Sequence, residues 1–250
     1  MQRSGSERPP TASLRPLEVR RLGLVPYGEG LKVQEELVGH RRAGRVPDQL
    51  LLLEHPHVIT MGTGTDPSHL LADERERVDR GIELFDSGRG GDITYHGPGQ
   101  LVGYPILDLK PDRKDLHRYL RDLESALILV LDAFGIEARR AAGLTGVWTE
   151  RGKVAAIGVR VSSGWITSHG FALNVTTDLE YFSAIVPCGL EQRSVTSLQE
   201  LLGRPVSMDL VMDRVTEAMA ETFGRRPEPF DGQPDSERIP EGGADSKKSK

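Results

Sequence analysis

Apolar residues recur at helical spacing in four segments of the chain. The clearest is 115–135, where a stripe of Leu, Ile and Val follows an aspartate and ends at a glycine, as helices commonly do. The same periodicity predicts helices over 28–44, 196–203 and 207–224.

Short apolar runs bounded by turn residues predict strands between these helices. The run 48–62 is interpreted as one buried strand that leaves through a proline-containing turn. Strands and helices come in mixed runs rather than in strict alternation, which favours an α/β fold of the α+β type, with a mixed sheet flanked by helices, over a doubly wound sheet. The predicted strands occupy 17–25, 48–62, 82–89, 99–109, 146–150, 153–165 and 166–175.

Both ends of the chain differ in composition from the middle. Residues 1–16 are rich in Ser, Pro and Arg, and residues 225–250 have few apolar side chains. Because neither segment can bury much apolar surface, we predict that both are disordered. The folded body, of a size that suits one large domain, then spans 17–224.

The overall composition is ordinary, with 37% hydrophobic residues, 28% charged residues and a formal net charge of −5. The negative charge argues against nonspecific binding of nucleic acid. No run approaches the roughly 18 apolar residues of a membrane helix, and the N-terminus lacks the apolar core of a signal peptide. We therefore expect no nucleic acid, no membrane association and a cytoplasmic location.

The chain has one cysteine, Cys188, which lies between a proline and a glycine. One cysteine excludes an intrachain disulfide framework and a cysteine-rich zinc module, and it fits a reducing compartment. A lone cysteine is commonly an inert small hydrophobe, but the flanking residues favour a turn that exposes this thiol. A cation about 4 Å away would supply enough energy to lower the thiol pKa by roughly two units.

A glycine-rich segment, RGGDITYHGPGQ, occupies residues 89–100 between two predicted strands. Its four glycines let the backbone approach a ligand and offer free N–H groups. The segment is not a P-loop, since no Gly-Lys-Ser/Thr follows, and not a dinucleotide fingerprint, since a strand comes next. The alternative is a long glycine-rich hairpin without a ligand.

Two further stretches carry polar residues at the start of apolar strands. Lys153 follows a tight turn in ERGKVAAIGVRV, and His169 lies in TSHGFALNV. Taken alone, the lysine is typical of an ordinary turn and the histidine of a structural hydrogen bonder. No metal site is expected, because the remaining histidines lack neighbours typical of metal ligands: His40, His55, His57, His69 and His117.

Together, RGGDITYHGPGQ, GKVAAIGVRV, SHGFALNV and PCG, in that order, resemble the octanoyltransferase family of lipoate biosynthesis over roughly residues 17–220. The resemblance implies the catalytic-domain fold of biotin and lipoate protein ligases. It implies that Cys188 is the acyl-thioester nucleophile and that Lys153 lowers its pKa. The positions that match the family's substrate-binding stretches are Arg89, Gly90, Gly91, Asp92, Ile93, Thr94, Tyr95 and His96, then Ala156, Ile157 and Gly158, then His169, Gly170 and Phe171.

The resemblance also implies partners and a reaction without a cofactor. The donor would be octanoyl-acyl carrier protein. The acceptors would be lysines on apo lipoyl domains of 2-oxoacid dehydrogenase E2 subunits and on the glycine cleavage H protein. Because acyl carrier proteins are acidic, a locally basic docking face is expected, with these candidates: Arg113, Lys114, Arg118, Arg121, Arg139 and Arg140.

Three alternatives remain open from the sequence. The first is an ATP-dependent lipoate or biotin protein ligase on the same fold, which would keep Lys153 without needing Cys188. The second is a cysteine hydrolase that uses His96 or His169 and releases free octanoate. The third is a noncatalytic acyl-binding protein, in which Cys188 would carry no acyl group.

Overall fold

The structure of the protein, a computed structural model, describes residues 14–186 and 194–232. In these ranges the chain forms eleven strands, five α-helices and two short 3₁₀ turns at Pro67–His69 and Leu179–Ala184. The helices are α1 (Tyr27–Arg42), α2 (Glu74–Asp79), α3 (Leu116–Asp132), α4 (Leu198–Leu202) and α5 (Met208–Phe223). The strands are β1 (Arg15–Leu24), β2 (Asp48–Glu54), β3 (Val58–Met61), β4 (Glu83–Asp86), β5 (Thr94–His96), β6 (Gln100–Ile106), β7 (Arg139–Ala141), β8 (Leu144–Thr149), β9 (Gly152–Val161), β10 (Thr167–Asn174) and β11 (Arg225–Pro229).

Eight strands form one large mixed sheet in the order β11-β1-β2-β6-β10-β9-β8-β7. The pairs β11–β1 and β1–β2 are parallel, and every other neighbouring pair in this sheet is antiparallel. A small second sheet has the order β4-β3-β5. The predicted mixed sheet flanked by helices is confirmed.

Helices cover both faces of the large sheet, and β2 shows why. Leu50 and Leu52 pack with α3 and α5, whereas Leu51 and Leu53 pack with α1, because successive side chains of a strand point to opposite faces. All four leucines are fully buried, and burial of each contributes roughly 1.5–3 kcal/mol. The continuous apolar run is therefore that of a central strand.

Helix α3 begins where its sequence predicts. The Asp115 carboxylate accepts a hydrogen bond from the backbone N–H of Arg118 at 3.1 Å, which satisfies one of the unpaired donors of the first turn. Its apolar stripe packs against α5 and the sheet through Tyr119, Leu123 and Leu127. The helix therefore has one buried face, and its other face is free to border a pocket.

One strand prediction is wrong in detail, and three short elements were missed. The run 48–62 is not one strand, because it divides at His55–His57 into β2 of the large sheet and β3 of the small sheet. The proline at position 56 lacks an N–H and separates the two. The short elements α2, β5 and β7 were not predicted, since three to six residues carry too little periodicity.

The predicted boundaries of the folded body are also too narrow. Strand β1 begins at Arg15, inside the segment 1–16, and β11 lies inside the segment 225–250. Composition alone could not identify β11, because its sequence RRPEP is polar. It is held by parallel pairing with β1 and by Arg225, whose buried guanidinium donates to Asp48 Oδ2 at 2.8 Å.

In the ranges that the structure describes, none of the helices combines the length and the apolar character needed to cross a bilayer.

Candidate active site

A pocket of about 350 Å³ lies between the glycine-rich segment, strands β8–β10 and the first turns of α3. The three stretches singled out in the sequence meet here, although 50 or more residues separate the first from the others. The pocket is lined by residues 89–94, 96, 153, 156–158 and 169–171. Of the predicted site residues, only Tyr95 and Cys188 do not appear in its described lining.

The glycine-rich segment is held firmly against its neighbours. The buried Arg89 side chain donates to Thr60 O at 2.8 Å and to Thr60 Oγ1 at 3.0 Å, so it fastens the segment to β3. The Gly90 N–H donates to Val159 O at 2.9 Å on β9. A Cβ at Gly158 would lie 3.0 Å from Gly90 O, so this contact is close because Gly158 has no side chain.

Tyr95 points away from the pocket. Because side chains alternate along β5, Thr94 and His96 face the pocket, whereas Tyr95 faces the other way, into the apolar cluster that contains Ile59 and Phe182. The Tyr95 hydroxyl is 2.8 Å from His57 Nδ1, and its ring stacks on Tyr181. A substrate-binding role for Tyr95 stays a prediction, and its side chain stabilises the base of the glycine-rich segment.

Lys153 lies at the start of β9 with 7% of its surface exposed. Its Nζ is 5.5 Å from the centroid of the Trp148 ring on β8, which places a cation over an aromatic face. The side chain is therefore largely shielded from solvent and also borders the pocket. This is a suitable environment for a cation that must act on a reacting group.

Cys188 lies outside the described residues, within 187–193. The described residues on either side are anchored near the pocket. The Val186 N–H donates to His69 O at 2.8 Å. Ser194 O accepts from the Lys153 N–H at 2.9 Å, and Val195 pairs with Lys153 in a parallel bridge. The chain from Ser194 onwards thus runs directly beside Lys153.

Three buried histidines lie near one another, with the His55 and His96 ring centroids 5.9 Å apart. His96 and His169 line the pocket, and His55 lies behind them. Burial lowers the pKa of His96 to about 3 and the pKa values of His55 and His169 to about 4. Nearby cations add to the effect at His169, where Arg89 and Arg160 disfavour the imidazolium. All three side chains are neutral at pH 7.

His169 also adopts an unusual backbone conformation, with φ of 55° in strand β10. A non-glycine residue in this region is strained by roughly 1–3 kcal/mol. The conformation is held by the side chain of Gln34, whose Oε1 accepts the His169 N–H at 2.7 Å. A histidine kept in such a conformation at a pocket wall points to a functional side chain.

A hydrogen-bonded chain links His96 to the segment beside Lys153. Gln100 Nε2 donates to Asn174 Oδ1 at 2.9 Å, so Gln100 Oε1 accepts from His96 Nδ1 at 2.7 Å. Asn174 Nδ2 donates to Thr196 O at 3.0 Å. This chain fixes the Nδ1–H tautomer of His96 and leaves its Nε2 as an acceptor.

Asp92 and His69 form a second link at the rim of the pocket. His69 Nδ1 lies 2.6 Å from Asp92 Oδ2. The other Asp92 oxygen accepts the Ile93 N–H at 2.7 Å. Because His69 O also accepts from Val186, the pair joins the glycine-rich segment to the chain that leads towards Cys188.

Sequence reasoning missed several residues of this pocket. Leu116 and Leu120 of α3 line it one turn apart, a spacing that the predicted helix already contained. Other apolar or aromatic lining residues gave no sequence signal of their own: Tyr27, Tyr104, Leu144, Trp148, Val159 and Ala172. The lining is mainly apolar, as a fatty acyl chain requires.

Within the part of the chain that the structure describes, no three His, Cys, Asp or Glu side chains are grouped so as to hold a metal ion.

Residues 26–220 match the family model of the lipoyl protein ligase A/B catalytic domain. The octanoyltransferase of Rubrobacter xylanophilus is 53% identical over 210 residues, which cover 83% of this chain and 94% of that protein. The octanoyltransferase of Solibacter usitatus is 52% identical, covering 82% and 92%. The structure of a bi-partite lipoate protein ligase from Thermoplasma acidophilum has a TM-score of 0.65 at 20% identity, covering 87% of each chain, which supports the fold.

Proposed function

The chain belongs to the family of the lipoyl protein ligase A/B catalytic domain, and on that premise we propose that it transfers an octanoyl group through a thioester on Cys188. Its activity is octanoyl transfer in protein lipoylation, as in the relatives that share about half of its residues. Lipoyl domains and an acyl donor are its substrates. The proposal adds the identity of the donor, the nucleophile and the proton carrier.

In the first step the Cys188 thiolate attacks the thioester carbonyl of octanoyl-acyl carrier protein. A new carbon–sulfur bond forms to Cys188 and the carbon–sulfur bond to the carrier breaks. The Lys153 ammonium gives its proton to the departing carrier thiolate. The products are an octanoyl thioester on Cys188, a free carrier thiol and a neutral Lys153.

In the second step the neutral amine of an acceptor lysine attacks the Cys188 thioester. Lys153 takes the proton that the attacking nitrogen loses, the carbon–sulfur bond breaks, and Cys188 leaves as a thiolate. An amide is formed and both enzyme groups return to their starting states. Backbone N–H groups of the glycine-rich segments are the proposed donors to the oxyanion.

The observation that carries the proposal is the position of Lys153. It lines an apolar pocket together with the three stretches that are predicted to bind the substrate, and Ser194 and Val195 contact it along the backbone. A cation about 4 Å from a thiol supplies about 4 kcal/mol in a partly wet site, more than the roughly 2.7 kcal/mol needed for a two-unit shift of its pKa.

Thermodynamics favours transfer without nucleotide over the ligase alternative. Exchange of one thioester for another is close to neutral, and conversion of a thioester to an amide is downhill. No activation by ATP is needed when the donor is already a thioester. The relatives named octanoyltransferase are consistent with this route.

The pKa values of the histidines argue against the hydrolase alternative. Moving a proton from a thiol with an ordinary pKa of about 8.5 to an imidazole with a pKa of about 4 costs about 6 kcal/mol. His169 has a pKa of about 4, and the pKa of His96 is lower still. Neither histidine is suited to activate Cys188 as a general base.

The proposed acceptors are apo lipoyl domains of 2-oxoacid dehydrogenase E2 subunits and the glycine cleavage H protein, in the cytoplasm. Of the six basic side chains proposed to dock the carrier protein, three are held in ion pairs within the fold. Arg113 lies 2.6 Å from Asp122, and Arg121 and Arg140 lie 2.6 Å and 3.0 Å from Glu124. These three side chains stabilise the fold. Arg118 makes longer contacts, 3.9 Å to Asp122 and 3.3 Å to Asp112 O, so Lys114, Arg118 and Arg139 are better candidates for docking.

Intact-mass spectrometry tests the proposal. The protein is mixed with octanoyl-acyl carrier protein alone, without ATP and without an acceptor. We expect the mass to increase by one octanoyl group, mapped to the peptide that contains Cys188. Cys188→Ser is the control and should not form the thioester. No adduct on the wild-type protein, together with transfer that requires ATP, would support the ligase alternative instead.

A further inference from the structure

The side chain of Lys153 rests on strand β8. Trp148 is the cross-strand partner of Lys153, and the register between β8 and β9 shifts between Val147 and Trp148. Trp148 provides its ring. A Cβ at Gly146 would lie 2.7 Å from Lys153 Cε and 2.6 Å from Ala155 O. The lysine stem therefore occupies the space that a side chain at position 146 would fill.

The backbone of Gly146 is itself held in an unusual conformation. Its φ is 126°, a region that residues with a side chain rarely adopt. Its N–H donates to Glu124 Oε1 at 3.1 Å. In addition to the pairing of β8 with β9, a hydrogen bond to a side chain of helix α3 thus holds the peptide under Lys153.

Glu124 is fully buried, although it is a carboxylate. Its Oε2 accepts from Arg121 Nη1 at 2.6 Å and from Arg140 Nε at 3.0 Å. A buried charge is costly unless it is paired and hydrogen-bonded, and here every contact fixes one oxygen or the other. With Oε2 occupied by the two arginines, Oε1 remains directed at Gly146.

Building on the proposed function, we propose that Glu124 is a positioning residue for Lys153. It acts through Gly146: the carboxylate fixes the Gly146 peptide, and that peptide fixes the lysine stem beside the Trp148 ring. Glu124 touches neither the substrate nor the reacting atoms. Its contribution is to keep the Lys153 ammonium within reach of the thioester.

Two substitutions at position 124 test this role. Glu124→Gln keeps the side-chain length, but its single oxygen cannot accept from the Gly146 N–H and from the two arginines at once. Glu124→Asp keeps the charge but withdraws the carboxylate by one methylene. Asp122→Asn is the matched control, since Asp122 lies on the same helix in an ion pair with Arg113, 2.6 Å away. It makes no hydrogen bond to β8 in the described residues.

The first readout is steady-state transfer. We expect Glu124→Asp to lower kcat by about 100-fold with little change in the KM for the donor, because small misplacements of a catalytic group have effects of this size. We expect Glu124→Gln to lower kcat less than Glu124→Asp does, because its side chain still reaches Gly146, and we expect Asp122→Asn to stay close to wild type. If kcat follows only the fraction of folded protein in all three variants, Glu124 is merely a structural tether and the inference is wrong.

The second readout does not depend on the reaction. In protein labelled with isotopic lysine, the Cε resonance of Lys153 is assigned by its absence in Lys153→Arg. We expect Glu124→Asp to move this resonance, Glu124→Gln to move it less, and Asp122→Asn to leave it in place. An unchanged resonance in folded Glu124→Asp overturns the inference, whatever the activity.

The same experiment separates the inference from the proposed function. If the resonance moves in Glu124→Asp but the wild-type protein forms no octanoyl adduct on Cys188, Glu124 positions Lys153 and the thioester route is wrong. If the adduct forms and neither the resonance nor kcat responds to Glu124→Asp, the thioester route stands and the inference fails.

Discussion

The two ends of the pocket differ in the ionisable side chains that they hold and in the charge of those side chains. At the lysine end, comprising Lys153 and Trp148, a cation lies over an aromatic ring on a rigid strand pair. At the histidine end, comprising His55, His96 and His169, burial lowers each pKa far below neutrality. Six residues of β9 separate Lys153 from Val159, the partner of His169, which corresponds to about 20 Å.

This difference indicates which end of the pocket is suited to the reaction and which end is suited to binding. In the proposed reaction, a group that stabilises a thiolate and carries protons needs a charge that it can give up, and Lys153 provides one at the lysine end. The Arg89 guanidinium near His169 is a cation too, but it does not release its proton. Neutral histidines in a fixed tautomer provide hydrogen bonds without attracting counterions or water. We therefore interpret the histidine end as a binding surface and the lysine end as the catalytic one.

The largest expected effect comes from removing the cation. Lys153→Ala should lower the rate of octanoyl transfer by about 10⁴-fold, because both activation of the nucleophile and proton transfer are lost. Alkylation of Cys188, the only thiol in the chain, should also be slower near neutral pH than in wild type. Equal alkylation rates in the two proteins would show that Lys153 does not lower the pKa of the thiol.

The next effect concerns stability at acid pH. Each of the three histidines has a lower pKa folded than unfolded, so the unfolded state binds more protons between pH 6.5 and about 4. The free energy of unfolding should therefore fall as the pH falls through this window. Between pH 7 and pH 5 we expect a loss of about 5–6 kcal/mol in total, measured by urea denaturation.

A matched variant sharpens this prediction. His55→Gln removes one buried imidazole and offers an amide to Val25 O and Tyr104 OH, the two partners of His55. Its stability should depend less steeply on pH than that of wild type. An identical slope in the two proteins would mean that His55 does not contribute to the acid sensitivity.

A smaller effect is expected from a change at the histidine end. His96→Asn should lower kcat/KM by about 10-fold through a lost hydrogen bond, far less than Lys153→Ala. It should leave the alkylation rate of Cys188 unchanged, because no charge is removed. A loss as large as that of Lys153→Ala would break the distinction between the two ends, and His96 would then be catalytic.

The fold was predictable where local chemistry determines it. The start of α3 follows from Asp115, and the four leucines of β2 follow from burial on two faces. Strand β11 was not predictable, because it depends on pairing with β1 and on the contact of Arg225 with Asp48 across the chain.

Some residues of the candidate site could also be predicted from the sequence, and others could not. The stretches around Arg89, Lys153 and His169 could be found from residue types and order in the sequence. The role of Glu124 could not, because in the sequence it is one polar position on an amphipathic helix. Only packing shows that this carboxylate is buried against Gly146.

The smallest expected effect tests whether Leu120, in the apolar lining of the pocket, limits the length of the acyl chain that binds. Leu120 of α3 lines the pocket, whereas Leu129 of the same helix is exposed and does not. Leu120→Ala should shift preference from octanoyl towards nonanoyl donors by about fourfold, since one added buried methylene contributes about 0.8 kcal/mol. Leu129→Ala should keep the wild-type ratio in the same competition between the two donors. An unchanged ratio in Leu120→Ala would mean that the chain does not extend towards α3, and the acyl group would then lie towards the histidine end instead.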